Sequence, residues 1–208
     1  MTTVATPVTH RMVLCGISWH TYQQLAADLG EQPVRLAYDQ GTLEIMTPSF
    51  EHERLNRLLA DIVQAIAFGR DLPIEPAGST YFNREDVKRG FQPDSCFYLG
   101  DNVRIIQGKK RLDVSIDPPP DLVVEVDVTN RSLNKLPLYA TIGVPEVWRF
   151  DSEHVILYHL SGQIYQEVPT SGVFEGVTAD DVMRFVQLAY EMPRKALFFY
   201  IMRWAEGS

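Results

Sequence analysis

One short strand constrains the fold of this chain more than any other feature. Residues 123–128 are its most apolar predicted strand and are rich in β-branched side chains. Such a run is typical of a central strand that is buried on both faces. Glu125 and Asp127 nevertheless share one face of this strand, roughly 6–7 Å apart, and Asp121 lies about twice as far from Glu125. The strand therefore places carboxylates in the core of the protein.

These carboxylates need a partner, because burying a charged carboxylate costs several kcal/mol unless it is paired, hydrogen-bonded or bound to a metal. Two explanations fit the strand equally well. The acids could emerge at the strand end and form ordinary buried ion pairs with lysine or arginine, or they could belong to a functional site.

The rest of the chain predicts an α/β (α+β) fold, with a central mixed β-sheet flanked by helices. Apolar spacing predicts helices over residues 19–29, capped by Ser18 and ended by Gly30 in a left-handed conformation, and over 50–68, capped by Ser49. A hairpin joins 35–38 to 43–46. Other strands are predicted at 73–75, 79–82, 92–99, 146–150, 155–159 and 163–167, and other helices at 135–142, 182–189 and 195–204. The last two helices are expected to cover a face of the sheet.

Length and composition favour one globular domain, 1–208, with a short flexible N-terminus over about residues 1–12. The 208 residues are 45% hydrophobic and 22% charged, which excludes disordered and fibrous classes. Cys15 and Cys96 are predicted to be reduced, buried thiols. The sequence has neither a signal-peptide pattern nor an apolar run of roughly 20 residues, so we expect a cytoplasmic protein without membrane segments.

The net charge and the basic clusters indicate less about the function than the central strand does. The formal net charge of -8 argues mildly against broad binding to a polyanion, although a bound cation would neutralise some of the acids. Two basic clusters, 88–89 and 109–111, are present. Each cluster, taken alone, is more typical of a solvated turn than of a nucleic-acid contact.

Asp94 is the residue that favours a metal site. It begins another predicted strand and, taken alone, is more typical of a turn. If that strand neighbours residues 123–128, Asp94 and Glu125 can converge on one hard cation. Two carboxylates and a backbone carbonyl, for which Val126 is well placed, are sufficient protein ligands for magnesium, which keeps several waters.

Lys135 is the predicted cationic partner of this site. Asn134 can cap a helix that has Lys135 and Pro137 in its first turn, which directs the Lys135 ammonium towards Glu125. A lysine there would stabilise negative charge developing on a phosphate. In isolation Lys135 is more typical of a surface lysine on a helix.

Glu51 and His52 lie in the first turn of the predicted helix over 50–68. Glu51 precedes Leu55 by four residues and Leu58 by seven, so we expect it to project along the apolar stripe. A favourable interaction with the helix dipole, worth about 0.3–1 kcal/mol, explains Glu51 as well as a site role does. For His52, packing is favoured slightly over contact with a phosphate.

Three segments together resemble a known family: 41–53, 121–126 and 139–148. Over roughly residues 15–190 the chain is similar to the Uma-two family, within the PD-(D/E)XK nuclease superfamily and its restriction endonuclease-like fold. Asp94 followed by Glu125 resembles the metal site of that superfamily. Asp127 departs from the pattern, because it occupies the position of the usual lysine, and Lys135 resembles the migrated replacement found in many branches.

The resemblance implies a metal-dependent endonuclease that hydrolyses phosphodiester bonds in DNA. Its catalytic residues would be Asp94, Glu125, Lys135 and Glu51, with magnesium, or manganese in its place, held by Asp94, Glu125 and the Val126 carbonyl. His52 and Asp127 would support the site from outside it, although Asp127 could instead pair with Arg131. A homodimer is expected, since the superfamily commonly dimerises and duplex cleavage needs two sites.

A rival hypothesis keeps the fold without the catalysis. In this alternative the protein is a non-catalytic nucleic-acid-binding or regulatory protein, and its acids form a structural ion-pair network. A middle possibility, which the motifs do not exclude, is nucleolytic action on RNA or on branched or damaged DNA. Other chemistries find no support: His154 and His159 lack partners at zinc spacing, and the sequence contains neither a glycine-rich phosphate loop nor a nucleophile elbow.

Overall fold

The computed structural model describes residues 9–30, 32–127 and 133–207. Within these ranges the strands are β1 (His10–Leu14), β2 (Arg35–Asp39), β3 (Thr42–Thr47), β4 (Ile74–Gly78), β5 (Phe82–Arg84), β6 (Arg89–Phe91), β7 (Ser95–Leu99), β8 (Leu122–Val126), β9 (Glu146–Phe150), β10 (Val155–Ser161) and β11 (Ile164–Val168). The α-helices are α1 (Trp19–Leu29), α2 (Phe50–Gly69), α3 (Asp101–Ile106), α4 (Leu136–Ile142), α5 (Ala179–Leu188) and α6 (Arg194–Glu206).

The strands form two sheets. The larger sheet has the order β11-β10-β9-β8-β7-β4 and is mixed, because β8 and β9 are parallel whereas the other neighbours are antiparallel. The smaller sheet, of order β1-β3-β2-β6-β5, is antiparallel and contains the predicted hairpin. The prediction of a mixed sheet flanked by helices is confirmed, and the second sheet is an addition to it.

The strand β8 is central, as its composition predicts. It pairs with β7 on one side and β9 on the other, and all five of its residues are buried. Leu122, Val124 and Val126 pack into a core with α2, α5 and α6, whereas Val123 packs into a second core with α4. The predicted alternation of faces is therefore confirmed, although β8 ends at Val126, and residue 128 lies outside the described residues.

Helices cover both faces of the larger sheet. The apolar stripe of α2 packs against β8 and α6, and the Ser49 hydroxyl accepts a hydrogen bond from the His52 N–H, which confirms the predicted cap. The cover predicted for the two C-terminal helices is also confirmed, because α5 and α6 contribute to the same core. On the other face, α4 packs between the two sheets, in contact with Ala37 of β2 and Val123 of β8.

Several local predictions were wrong. The strand β1 begins at His10, inside the segment predicted to be flexible; residues 1–8 lie outside the described residues. Strand β6 and helix α3 were missed, since segments of three and six residues are too short to show a period. Gly30 ends α1 at φ 53°, ψ -122°, outside the left-handed helical region. Cys15 is exposed, whereas Cys96 is buried as predicted; both are free thiols.

None of the helices within the described ranges combines the length and apolarity that crossing a bilayer requires.

Candidate active site

Glu125 of β8 is the centre of a buried polar cluster. Its side chain is 8% exposed, and Lys135 donates a hydrogen bond from Nζ to Oε2 over 2.7 Å. The hydroxyl of Tyr139 donates to Oε1, and the backbone N–H of Asp94 lies 3.3 Å from the same oxygen. Both carboxylate oxygens of Glu125 therefore have donors, and these come from two different elements of the fold.

Helix α4 delivers two of these donors. Lys135 is the N-cap residue of α4 and Tyr139 follows it by four positions, so both side chains reach the same side of the helix. The predicted return of Lys135 towards Glu125 is observed. The predicted cap differs, because the Asn134 side chain accepts a hydrogen bond from the Leu136 N–H at 3.2 Å while Lys135 itself stands at the N-cap.

Asp94 lies directly before β7 and is more deeply buried than Glu125, with a side chain 1% exposed. Its Oδ2 accepts the backbone N–H of Val126 at 2.9 Å and lies 3.2 Å from Nε2 of His52. Its Oδ1 lies 3.3 Å from Nε of Arg35, but it accepts no well-aligned hydrogen bond from the described residues. The predicted neighbouring of the Asp94 strand and β8 is confirmed by their antiparallel pairing.

The smaller sheet forms a charged wall behind this cluster. Arg11 and Arg35 both lie opposite Met46 in register, so their side chains share one face of the sheet. Arg35 bridges Asp94 and Glu53, and on the same face Glu44 accepts the Leu133 N–H at 3.0 Å.

Asp127 stands outside the strand and beside the cluster. Its carboxylate pairs with Nη2 of Arg11 at 3.0 Å and lies 3.8 Å from Nε of Arg149. Arg131, the partner considered from the sequence, lies outside the described residues. Asp127 thus ties β1 to β9 next to Glu125.

Glu51 does not follow the apolar stripe of α2, so that prediction is wrong: its side chain is exposed. Phe50 beside it is also 75% exposed, so the packing does not cover this side of the first turn of α2. Periodicity fixes the face of a residue but not the point along a helix where its cover ends. The buried residue of this turn is His52, at 0% exposure and against Asp94.

Burial and charge oppose each other in this cluster. Burial would raise the pKa of Asp94, but His52, Lys135 and Arg35 outweigh it and hold that pKa well below the usual range. Burial raises the pKa of Glu125 against the opposing effect of Lys135, and the nearby Asp94 charge raises it further. Burial would lower the pKa of Lys135, but Glu125 and Asp94 raise it. Asp94 is therefore anionic and Lys135 cationic at neutral pH.

The donor set fits a hard divalent cation. Carboxylates are the ligands that magnesium prefers, and Oδ1 of Asp94 is a buried oxygen without an aligned donor. Three buried carboxylates, Glu44, Asp94 and Glu125, face two cations, Lys135 and Arg35, and Glu53 competes for Arg35. Within the described ranges no group of three His, Cys, Asp or Glu side chains forms a ligand set, so a cation here would depend on two carboxylates and water.

Comparison of the sequence with models of known protein families identifies the family to which the chain belongs. The Uma2 family model, described as a putative restriction endonuclease, matches residues 19–191. The chain belongs to the Uma2 family. Its two sheets and flanking helices have the restriction endonuclease-like fold of the PD-(D/E)XK superfamily, and the family supports a nuclease-like function in general terms. No curated protein matches the sequence.

One further buried acid of this Uma2 protein, Glu146, has a structural role rather than a part in the candidate site. Glu146, in the motif segment 139–148, is 0% exposed and accepts hydrogen bonds at both oxygens. Its donors are the Trp148 indole, the Ser171 hydroxyl and the backbone N–H groups of Gly172 and Val173. A carboxylate satisfied in this way fixes the loop before α5 to β9.

The basic clusters are engaged locally. Arg89 pairs with Asp39 at 2.7 Å, Lys109 bonds to Asp117, and Lys88 lies 3.7 Å from Glu85. Arg89 lies in strand β6 with a side chain 24% exposed, so the solvated-turn explanation does not describe it.

Tyr139 was not predicted as a site residue, and its contribution can be measured. Replacing Tyr139 with phenylalanine should lower the free energy of unfolding by about 1.5–3 kcal/mol, the range for a hydrogen bond to a charged group. Tyr165→Phe is the matched control, because its hydroxyl donates to the neutral Val144 carbonyl at 2.6 Å and should cost only about 0.5–1.5 kcal/mol. Chemical denaturation of both variants gives the comparison; equal losses would show that Glu125 does not depend on Tyr139.

Proposed function

We propose that this Uma2 protein is a metal-dependent DNA endonuclease that hydrolyses phosphodiester bonds. The observation that carries the proposal is the contact of Lys135 Nζ with Glu125 at 2.7 Å, beside a second buried acid, Asp94. Carboxylates that can hold a divalent cation, with a lysine beside them, bring together two kinds of group that stabilise the charge developing in phosphate hydrolysis.

Asp94 and Glu125 would hold magnesium, or manganese in its place, with the Val126 carbonyl as the proposed third protein ligand. Two backbone hydrogen bonds support this assignment. The Val126 N–H donates to Asp94 and the Asp94 N–H donates to Glu125, so the three proposed metal ligands are held next to one another. A divalent cation bound there supplies Lewis-acid stabilisation of the phosphoryl oxygens.

Lys135 would act on the attacking water and the phosphate. Its ammonium donates hydrogen bonds, so it can orient the water for in-line attack and stabilise the negative charge that develops as one P–O bond forms and another breaks. The Glu125 carboxylate fixes the ammonium, and Tyr139 fixes Glu125 from the other oxygen. Glu51, which is exposed, contributes to this proposal only through the resemblance on which it was first predicted.

Two further parts of the proposal concern the whole molecule. Cleavage of both strands of a duplex requires two sites, so we infer that the protein acts as a homodimer. A cytoplasmic location fits a DNA substrate.

A cleavage assay with Glu125→Gln tests the function. The substitution keeps the shape of the side chain but removes its charge, so magnesium-dependent DNA cleavage should fall by at least about 100-fold, the effect of losing one preorganised charge-stabilising group. Asp121→Asn is the matched control: Asp121 directly precedes the other end of β8 and bonds the Leu99 N–H and Asn102 outside the cluster. A Glu125→Gln protein that cleaves DNA as fast as the parent would contradict the proposed nuclease function.

A second candidate function is a non-catalytic nucleic-acid-binding or regulatory protein that retains the fold. One observation favours it: Asp94 and Glu125 already have cationic partners, Arg35 and Lys135, as a purely structural network requires. Metal binding separates the two candidates. Calorimetric heat on titrating the protein with millimolar magnesium supports the nuclease, and the absence of heat supports the binding protein.

A further inference from the structure

A cavity of about 440 Å³ opens directly beside Glu125 and Lys135. The start of α4 bounds one side of it, and its floor is the face of the larger sheet that α4 leaves uncovered. The residues that line it away from the acid cluster are Arg149, Ile156, Tyr158 and Glu167, on β9, β10 and β11. The proposed catalytic groups, Glu125 and Lys135, occupy only one end of this space.

The strand register determines which side chains lie side by side on this floor. Glu125 lies opposite Arg149, which lies opposite Ile156. The neighbouring row places Tyr158 opposite Glu167. Glu125, which accepts the hydrogen bond from Lys135, therefore lies at one end of the floor. The Arg149 guanidinium and the Tyr158 ring follow, and a second acid, Glu167, lies at the rim.

Arg149 and Tyr158 are neighbours on the floor. The guanidinium carbon of Arg149 lies 6.0 Å from the Tyr158 ring centroid, and the tyrosine is half-buried. Nucleobases stack on aromatic rings and on guanidinium planes, and such stacking is tolerant of sequence. The floor is thus suited to a planar heteroaromatic ring.

The walls of the cavity suit the edge of a base better than a run of phosphates. Among the described residues, the charged side chains that line it are four acids, Glu125, Asp127, Asp151 and Glu167, and two cations, Lys135 and Arg149. Carboxylates repel phosphates but accept hydrogen bonds from amino groups such as cytosine N4. A cavity of this volume holds one small ligand rather than a duplex.

We propose that this cavity binds one unpaired nucleobase of the DNA strand, next to the phosphate that Lys135 contacts. The inference rests on the proposed nuclease function and narrows its substrate to DNA with an unpaired nucleotide at the cleavage position, as in branched, mismatched or single-stranded DNA. An unpaired base enters such a pocket at a lower cost than a paired one, because no base pair has to open.

Binding measured without metal tests the inference, because EDTA prevents cleavage. Two DNA duplexes are compared, one fully paired and one with a single unpaired 2-aminopurine. The parent should bind the second at least about tenfold more tightly and quench its fluorescence, since stacking contributes about 1–3 kcal/mol per base. Tyr158→Ala should lose both the preference and the quenching, whereas Tyr158→Phe should keep them.

Tyr190→Ala is the matched control, since Tyr190 also stacks with an arginine, Arg54, at 4.9 Å, but lies outside the cavity. It should behave as the parent. Equal affinity of the parent for the two duplexes, or an unchanged preference in Tyr158→Ala, would overturn the inference. Neither result bears on cleavage by Glu125→Gln, so failure of the base site and failure of the nuclease assignment are distinguishable.

Discussion

Replacing Lys135 with methionine should lower the rate of magnesium-dependent DNA cleavage by about 100- to 1,000-fold, the usual effect of removing one group that stabilises the transition state. Methionine keeps much of the apolar stem of the buried lysine, which is 9% exposed, and removes the ammonium. The loss therefore falls on the charge that faces Glu125 rather than on packing.

The same substitution has a predictable effect on Glu125. Burial raises the pKa of Glu125 and Lys135 opposes that effect, so removal of Lys135 should raise this pKa further. Magnesium binding to Lys135→Met should accordingly weaken more than that of the parent as the pH is lowered, because protonation of Glu125 removes a charge that would hold the cation. Calorimetry at pH 6 and pH 8 measures this difference independently of cleavage.

Lys195→Met is the control for the cleavage experiment. Lys195 is exposed in the first turn of α6, so its substitution should leave the cleavage rate and the magnesium affinity unchanged. If Lys135→Met and Lys195→Met cleaved DNA at the same rate, Lys135 would be a structural partner of Glu125 and nothing more.

The sequence was sufficient to predict the parts of this site that depend on local periodicity. Alternation along β8 placed Glu125 on the face opposite Val124 and Val126, and the predicted start of a helix near Lys135 directed this lysine back to it, although Lys135 itself is the N-cap. Asp94 needed one further assumption, the pairing of its strand with β8, which the structure confirms.

Residues that reach the site across long distances in the chain were missed. Arg35 and Glu44 belong to a hairpin that was predicted, but the position of this hairpin against α4 depends on tertiary packing that periodicity does not describe. Tyr139 lies between Leu138 and Ala140, so its ring is indistinguishable from core in the sequence. Its spacing of four residues from Lys135 is the only local sign of its role.

Replacing Asp94 with alanine should have the largest effect on stability of any change in the cluster. Arg35 and His52 would remain buried without the carboxylate that faces both, and removing one partner of a buried ion pair costs about 3–5 kcal/mol. Chemical denaturation should show this loss. The double variant Asp94→Ala with Arg35→Met should recover part of it, because the buried guanidinium, which would keep only its contact with Glu53, is removed as well.

The effect of magnesium on thermal stability shows whether Asp94 is a metal ligand or only a member of a structural network. The parent and the double variant are the two proteins compared. A ligand that binds only the folded state raises the melting temperature by mass action. Magnesium should therefore raise the melting temperature of the parent but not that of the double variant, even where the double variant regains stability. If the double variant were stabilised by magnesium as much as the parent, Asp94 would be explained by its ion pairs alone, and the cation would have to depend on Glu125 without it.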